Sequence, residues 1–231
     1  MPLAWAAVPP LPSLCAVCHG WGPSRVCPAC LARFAEPAPR CTRCALRVPP
    51  GVATCGACLV APSPLDGAVA AVDYAFPWDH LLLAFKFHAA LDLAPALAAR
   101  LRAATQANGP AAPELVLPVP QSPDRLRERG FNQAWELARR LGPPADAHTL
   151  LRVRHTPHQL ALPEAQRAAN VRGAFAVEPS RRHRLAGRHV AVVDDVMTTG
   201  ATGREVARVL LEAGAASVCW WAVARTPRPS D

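Results

Sequence analysis

The sequence predicts an α/β protein in which a parallel β-sheet is flanked by helices and preceded by a small cysteine-rich unit. Three observations carry this prediction: a short apolar run ending in two acids, an amphipathic helical pattern after it, and four Cys-x-x-Cys pairs near the N-terminus. The chain has 231 residues, 51% of them hydrophobic, which suffices for one such core with a smaller appendage. This composition excludes a disordered or fibrous protein.

Residues 190–193 form a short, entirely apolar run, which is typical of a strand buried on both faces of a parallel sheet. Asp194 and Asp195 follow at its carboxyl end, where open α/β sheets bind their ligands. Adjacent carboxylates at a strand end are costly unless they are used, so they indicate a site. A helical pattern with one apolar face follows and ends at Gly214.

A small, hydroxylated loop of the kind that binds phosphate lies between the acids and this helix. Free N–H groups and the positive end of the helix dipole attract an anion, and Gly200 lets the backbone approach it closely. The carboxylates would repel a phosphate and are left to accept hydrogen bonds from vicinal sugar hydroxyls. The stretch 190–202 therefore predicts a site for a phosphorylated sugar. The predicted binding residues are Asp194, Asp195, Met197, Thr198, Thr199, Gly200, Ala201 and Thr202.

The N-terminal quarter of the chain contains eight cysteines with the spacing of zinc knuckles. Each Cys-x-x-Cys pair offers two thiolates, and two pairs complete a tetrahedral Zn²⁺ site, so two structural sites are predicted. Which pairs share an ion is left open, because sequential, nested and crossed arrangements all fit. The ninth cysteine, Cys219, lies in an apolar run and is predicted to be a core residue. The predicted ligands are Cys15, Cys18, Cys27, Cys30, Cys41, Cys44, Cys55 and Cys58.

Disulfides are the alternative use of these cysteines, and they need an oxidising compartment. Residues 1–14 contain four prolines and no positively charged start, so neither a signal peptide nor a membrane anchor is predicted there. We therefore expect a cytoplasmic protein with no membrane insertion. The formal charge is +8. Because eight thiolates and two Zn²⁺ together carry four negative charges, the loaded protein is near +4, which weakens the argument for DNA binding from charge alone.

Several basic segments are candidates for binding an anion. Arg125, Arg127 and Arg129 precede Gly130, and Asn132 is placed to cap the next helix. Arginines here could bind a pyrophosphate bidentately, although a solvated helix end has the same composition. A polar, basic stretch from residue 154 to 175 is predicted to be a mobile lid.

Other segments carry weaker predictions. Residues 115–120 are predicted to form a strand running into prolines, and residues 77–101 to be mostly helical, with a loop over 104–113. Lys86, the only lysine, is either a helix residue with its amine at the surface or a site residue. Residues 181–184 are predicted to be a solvated turn.

Taken in order, these pieces resemble the ComF (competence protein F) family. The resemblance covers nearly the whole chain, and its most specific parts are Arg-Gly-Phe-Asn-Gln at 129–133 and the 190–202 stretch. That stretch resembles the phosphoribosyl-pyrophosphate (PRPP) motif of type I phosphoribosyltransferases. The remaining parts are the cysteine pairs, Pro-Val-Pro at 118–120, and Arg-x-Thr-x-x-Gln at 154–159 with Leu162, Arg167 and Asn170; Gln166 stands where an acid is expected.

The resemblance implies a type I phosphoribosyltransferase fold, a Rossmann-like parallel sheet flanked by helices, over residues 63–231. Over residues 1–62 it implies a double zinc ribbon in which four cysteines hold each ion. It also implies Zn²⁺ in two structural sites, PRPP with Mg²⁺, and a cytoplasmic bacterial protein tied to natural DNA uptake. Single-stranded DNA and competence helicase or recombination proteins are the implied candidate partners.

As a transferase, the protein would use Asp194, Asp195, Arg129 and Arg154 as catalytic residues. The 5′-phosphate would lie on 198–202 and the ribose hydroxyls on the two acids, while the pyrophosphate would meet Mg²⁺ and Arg129 or Arg154. A nitrogen nucleophile would then attack the ribose as pyrophosphate leaves. The acceptor is not identifiable from the sequence. A PRPP sensor without turnover and a single-stranded-DNA-binding accessory protein are the two alternatives.

Overall fold

The computed structural model describes residues 12–108, 112–154 and 171–228. Its strands are β1 (Ser13–Leu14), β2 (Trp21–Gly22), β3 (Gly67–Asp73), β4 (Leu115–Pro118), β5 (Leu150–Arg152), β6 (Phe175–Val177), β7 (His189–Met197) and β8 (Ser217–Arg225). Its α-helices are α1 (Pro28–Phe34), α2 (Gly56–Val60), α3 (Trp78–Phe87), α4 (Ala94–Asn108), α5 (Pro123–Arg129), α6 (Gln133–Ala138) and α7 (Ala201–Glu212). Two 3-10 helices cover Leu91–Leu93 and Pro179–Arg184.

Four parallel strands form the central sheet, in the order β3-β8-β7-β4. The strand that carries the two acids, β7, is therefore an inner strand with a hydrogen-bonded neighbour on each side. β1–β2 and β5–β6 form two small antiparallel pairs. The predicted α/β class, with a parallel sheet flanked by helices, is confirmed.

The sheet separates two hydrophobic cores because successive side chains of a strand point to opposite faces. Ala191 and Val193 of β7 lie in the core that contains residues of α3, α4 and α6. Val190 and Val192 lie in the core that contains residues of α7. Burial on both faces explains why the β7 sequence is an uninterrupted apolar run.

The strand β7 is longer than the apolar run predicts. It continues through Asp194 and Asp195 to Met197, which pairs with Arg225 of β8. The acids are thus inside the strand rather than after it, because β8 continues alongside and supplies hydrogen-bonding partners. Their backbone is fixed by the sheet.

Two other sequence expectations are corrected by the structure. The loop predicted from residue 104 is wrong at its start, because α4 continues to Asn108 and buries Ala104 in the core. The solvated turn predicted at 181–184 is a 3-10 helix. Arg181 and Arg184 of that helix both form ion pairs with Asp146, a buried carboxylate that no apolar pattern signals.

The cysteine-rich segment packs directly against the sheet domain. Cys15 and Cys30 belong to the same core as Trp78, whose indole N–H donates to the Phe34 carbonyl at 2.6 Å. Farther along, the N–H of Ala68 donates to a carbonyl of the segment at 2.8 Å. The division predicted after residue 62 stays a prediction.

Across the described residues, no helix combines the length and the apolar character that crossing a bilayer requires.

Candidate functional site

The eight knuckle cysteines form two groups of four, and in each group the Sγ atoms all lie within 4.8 Å of one another. The pairing that the sequence leaves open is sequential. The first group is Cys15, Cys18, Cys27 and Cys30, and the second is Cys41, Cys44, Cys55 and Cys58.

The spacing of the sulfur atoms fits a tetrahedral Zn²⁺ site. The Sγ–Sγ distances are 3.8 Å for Cys15–Cys30 and 3.7 Å for Cys18–Cys27 in the first group. In the second group the Cys44–Cys55 distance is 3.7 Å. Four sulfurs bound at about 2.3 Å to one Zn²⁺ lie about 3.8 Å apart, so each group could hold one zinc ion.

One thiol in each group has a pKa below that of an ordinary cysteine. Burial raises the pKa of Cys15, but backbone N–H groups outweigh it, the Cys27 N–H at 3.4 Å among them, and bring that pKa to about 6. In the second group, burial again raises the pKa of Cys41, and backbone donors including the Cys55 N–H at 3.3 Å lower it to about 7. Metal-binding cysteines need thiolate ligands, so these two positions favour the ligating form.

A second candidate site lies at the carboxyl end of the central sheet, around the two acids of β7. Asp195 is buried, and its Oδ2 lies 2.6 Å from Nζ of Lys86 on α3. The neighbouring Asp194 keeps part of its surface exposed to solvent, although protein atoms surround it densely. Its Oδ1 accepts the N–H of Asp195 at 2.9 Å. The structure thus settles the question that the sequence leaves open for Lys86, since its amine lies at the site.

Burial shifts the titration of this lysine and of Asp194 toward neutral pH. Burial lowers the pKa of Lys86 to about 8, against the opposing effect of Asp194. Burial raises the pKa of Asp194 to about 6, although Lys86, Arg152 and Arg125 each act to lower it. Groups with such displaced pKa values at a strand end are typical of functional sites.

Four cations act electrostatically on this site: Lys86, Arg125, Arg129 and Arg152. The Arg129 guanidinium lies 4.8 Å from the ring centroid of Phe87, and that of Arg152 lies 5.5 Å from the ring centroid of Phe175. Burial, with repulsion from Arg125, lowers the pKa of both arginines. Glu128 also acts on Arg129, so four cations meet three acids here, and the site keeps an excess of positive charge that suits a polyanion.

Local backbone geometry brings Arg129 to this position. Gly130 has φ of +76°, a conformation that favours glycine, and it ends α5 directly after Arg129. As predicted, Asn132 caps α6, with its Oδ1 accepting from two backbone N–H groups. Its Nδ2 donates to the Val119 carbonyl at 3.1 Å, and the Val119 N–H donates to the Val193 carbonyl of β7 at 2.9 Å. The Arg-Gly-Phe-Asn-Gln segment is thereby tied to the strand that carries the acids.

The predicted phosphate loop lies between β7 and the N-terminus of α7. Gly200 has φ of +76°, and a Cβ atom there would lie 2.9 Å from Cε of Met197. The Thr199 hydroxyl accepts the Ala201 N–H at 3.3 Å, and the Thr199 carbonyl accepts from Arg204 at 3.2 Å. The positive φ favours glycine at position 200, and any side chain there would have to displace the end of the Met197 side chain. The result is a tight turn that leads into the first turn of a twelve-residue helix.

Arg225 contacts the side of this loop that faces the protein interior, and the sequence does not predict it as a site residue. Its guanidinium is buried, and Nη1 donates to the Met197 carbonyl at 3.0 Å and to the Thr198 carbonyl. The sequence does contain a signal for this residue. Arg225 ends the apolar strand β8, and a charged side chain in a buried strand needs hydrogen-bonding partners.

The structure places Arg154 differently from Arg152. Arg154 is exposed and donates to the Arg172 carbonyl at 2.7 Å, whereas Arg152, two residues earlier, acts electrostatically on Asp194. The predicted catalytic role of Arg154 stays a prediction. Most of the predicted lid, including His155, His158, Gln159, Leu162, Gln166, Arg167 and Asn170, lies outside the described residues.

Comparison with known proteins identifies the family. DNA utilization protein YhgH of Salmonella typhimurium is 34% identical over 230 residues, which cover 94% of this chain and 98% of the relative. The chain belongs to the family of this protein. Competence protein F of Haemophilus influenzae is 32% identical over 195 residues, 81% of this chain and 85% of that relative. The resemblance to the ComF family is therefore confirmed.

Comparisons with solved structures and with protein-family profiles contribute less to the family assignment than the two sequence relatives. Glutamine PRPP amidotransferase from Bacillus subtilis superposes with a TM-score of 0.35 and 25% identity, over 55% of this chain and 25% of its own. No protein-family profile matches the chain. The family assignment rests on the two sequence relatives.

Proposed function

We propose that the protein binds PRPP with Mg²⁺ at the carboxyl end of β7 and acts in the handling of DNA. One observation supports this proposal: two acids, a glycine-threonine loop at a helix N-terminus, and four cations lie together at the carboxyl end of the sheet. Each of these three elements suits a different part of PRPP.

The loop of residues 198–202 would bind the 5′-phosphate. Its N–H groups start a twelve-residue helix, whose positive end favours an anion. The side chains of Thr198, Thr199 and Thr202 are all at least partly exposed and able to add hydrogen bonds.

Asp194 and Asp195 would accept hydrogen bonds from the two ribose hydroxyls. Charge-assisted hydrogen bonds of this kind are about twice as strong as neutral ones. Lys86 supports this role, because its amine at 2.6 Å favours the ionised form of the buried Asp195. In the sugar complex, Lys86 keeps the carboxylates ionised and adds a positive charge beside the pyrophosphate.

The pyrophosphate would lie among Arg125, Arg129 and Arg152. Their guanidinium groups repel one another in the free protein, which adds to the effect of burial in lowering the pKa values of Arg129 and Arg152. A pyrophosphate relieves that repulsion. Mg²⁺ bound with the pyrophosphate supplies further stabilisation of negative charge, and Asp194, as the more exposed carboxylate, is the residue able to hold it.

If the site turns over, the bond between C1 of the ribose and the pyrophosphate oxygen breaks, and a nitrogen nucleophile forms a new bond to C1. The departing pyrophosphate takes the electron pair, and Arg129, Arg152 and Lys86 stabilise its negative charge. Arg154 is also proposed to act in this step. The family relatives are named for DNA utilization and competence, which favours a cytoplasmic role in using imported DNA.

The experiment that tests PRPP binding is ³¹P NMR of PRPP and Mg²⁺ with the zinc-loaded protein. We expect shifted or broadened PRPP signals, and a binding free energy weakened by roughly 1–3 kcal/mol in Asp195→Asn, the scale of a hydrogen bond to a charged group. Asp92→Asn is the matched control, because Asp92 is an exposed acid whose partner is Arg25 in the cysteine-rich segment.

The same spectra separate the possible activities. Pyrophosphate released only when an acceptor is added identifies a transferase and its substrate. Shifted PRPP signals without release identify a sensor. Unchanged PRPP signals in the wild-type protein, or equal affinity in Asp195→Asn, contradict the proposed site.

A further inference from the structure

Arg225 joins the two candidate sites of the protein. It is 6% exposed, and its guanidinium donates to four backbone carbonyls. On one side Nε donates to the Cys44 carbonyl at 2.8 Å. On the other, Nη1 donates to the Met197 and Thr198 carbonyls at the start of the phosphate loop. A single buried, planar side chain therefore spans from the second cysteine group to the loop.

The contact on the cysteine side falls within the metal-binding knuckle. Cys44 supplies a sulfur to the second group, and the next residue, Ala45, is buried with φ of +58°. The Ala45 carbonyl accepts from Arg40 at 3.1 Å. The turn that aims the Cys44 sulfur is therefore held by two arginines through consecutive carbonyls.

The contact on the loop side falls at the point where the chain leaves the sheet. The Met197 carbonyl accepts from both Arg225 Nη1 and the Thr226 N–H, each at 3.0 Å. Thr198 lies just past the last residue of β7, and its carbonyl is oriented by Arg225. Fixing these two peptide groups sets the direction in which the chain enters Thr199 and Gly200.

We propose that Arg225 is a positioning residue that couples the second cysteine group to the phosphate loop, so that Zn²⁺ in that group and PRPP on the loop bind cooperatively. This inference rests on the proposed function. When the second group holds Zn²⁺, Cys44 is fixed and Arg225 is held in the orientation that orders the loop. When the ion leaves, the knuckle loses its cross-link and the loop loses its support.

The coupling is reciprocal, because two ligands that affect each other's binding do so by the same factor. PRPP bound on the loop therefore strengthens the binding of Zn²⁺ to Cys41, Cys44, Cys55 and Cys58, and less of this group is free of metal at a given chelator concentration. The first cysteine group has no hydrogen bond to Arg225 among those of the described residues, so its zinc is unaffected. This difference between the two groups is a signature that general stabilisation by a ligand does not produce.

The test is site-resolved loss of zinc from the full-length, zinc-loaded protein. The protein is exposed to a chelator with N-ethylmaleimide, with and without PRPP and Mg²⁺, and the modified cysteines are identified by peptide mass spectrometry. We expect PRPP to slow modification of the second group by about fivefold or more, the lower end of typical coupling between sites, while the first group reacts at an unchanged rate.

Variants separate positioning from folding. Arg225→Met removes the link and is expected to abolish the difference between the groups, whereas Arg225→Lys keeps a cation and part of the effect. Arg100→Met is the matched control, because Arg100 also joins the cysteine-rich segment to the sheet through carbonyls, those of Ala35 and Ala71, at 2.9 and 3.4 Å. It is expected to keep the full difference.

Failure of the proposed coupling can be distinguished from failure of the proposed PRPP binding. PRPP that binds by ³¹P NMR but protects both groups equally, or neither, overturns the coupling and leaves the proposed function standing. PRPP that does not bind at all overturns both. If Arg225→Met does not fold, the wild-type comparison and Arg225→Lys still decide, since full selective protection in the lysine variant contradicts a role for the guanidinium.

Discussion

Lys86 Nζ lies 2.6 Å from Oδ2 of Asp195, and the two side chains are 20% and 4% exposed. The pair joins α3 to an inner strand of the sheet across a long separation in sequence. The only lysine of the chain is therefore a partly buried partner of the acid pair. It neutralises a carboxylate that would otherwise be costly to bury.

Lys86→Met is expected to destabilise the protein by about 3 kcal/mol, since it leaves the Asp195 carboxylate buried without its cation. The Lys86→Met/Asp195→Asn double variant is expected to recover part of that loss, because the remaining amide carries no charge. Urea denaturation of the wild type, both single variants and the double variant measures the interaction. A Lys86→Met protein as stable as the wild type contradicts the pair.

PRPP affinity is expected to fall as the pH rises through about 8, because burial lowers the pKa of Lys86 to about 8 and the amine is a cation only below that value. On the acid side, affinity falls below about 6, where Asp194 becomes protonated because burial raises its pKa to about 6. The alkaline fall is decisive, since phosphate monoesters such as the 5′-phosphate of PRPP themselves titrate near pH ~6. Calorimetry from about pH 5.5 to about 9.5, a range that brackets both pKa values, measures both.

Lys86→Arg is the control for this assignment. Its guanidinium stays charged throughout, so the alkaline fall is expected to disappear while the acid fall remains. An alkaline fall that persists in Lys86→Arg assigns it to another group.

Gly200→Ala is expected to weaken PRPP binding by about tenfold or more. The alanine Cβ would lie 2.9 Å from Cε of Met197, at a φ of +76° that costs an L-residue about 1–2 kcal/mol. Gly187→Ala is the control, because Gly187 has a similar φ of +68° but open space around its Cβ position. Both variants are expected to lose similar stability, and only the first to lose affinity for PRPP. Equal affinities would count against the loop as the phosphate site.

The purified protein is expected to contain two zinc ions per chain, one for each group of four cysteines, measured by elemental analysis. Cys219→Ser is expected to retain both, because Cys219 is buried in β8 and lies outside both groups. Cys30→Ser is expected to lose one ion and much of its stability, because Cys30 is also part of the core. Loss of zinc in Cys219→Ser contradicts the assigned ligands.

Asp146→Asn is expected to lower the stability by about 1–2 kcal/mol, because Arg181 and Arg184 lose a charged partner but are themselves partly exposed to water. Burial raises the pKa of Asp146, but the His148 N–H, the Thr149 hydroxyl and both arginines outweigh it and lower that pKa overall. A lowered carboxylate pKa adds stability above the ordinary aspartate pKa, and this is lost as the pH falls through the lowered value. Acid denaturation of the wild type and Asp146→Asn measures this slope, which the variant is expected to lack.

Much of this protein could be predicted from local pattern. The apolar run before Asp194 identifies a buried strand, and the spacing of the cysteines identifies two metal groups, because both signals depend on residues close in sequence. Gly200 and Asn132 are recognised for the same reason, since a tight turn and a helix cap each act within a few residues. Features that depend on a few neighbouring residues can therefore be predicted from the sequence alone.

The tertiary structure decided the contacts between distant segments. It made the cysteine pairing sequential, placed Lys86 on Asp195, brought Arg152 rather than Arg154 toward Asp194, and set Arg225 between Cys44 and the phosphate loop. It also turned Arg181 and Arg184 inward to Asp146. A charged side chain has the same local pattern whether it meets water or a buried partner. Which of the two it meets depends on how the strands and helices pack, because packing decides which charges leave water and must find a partner.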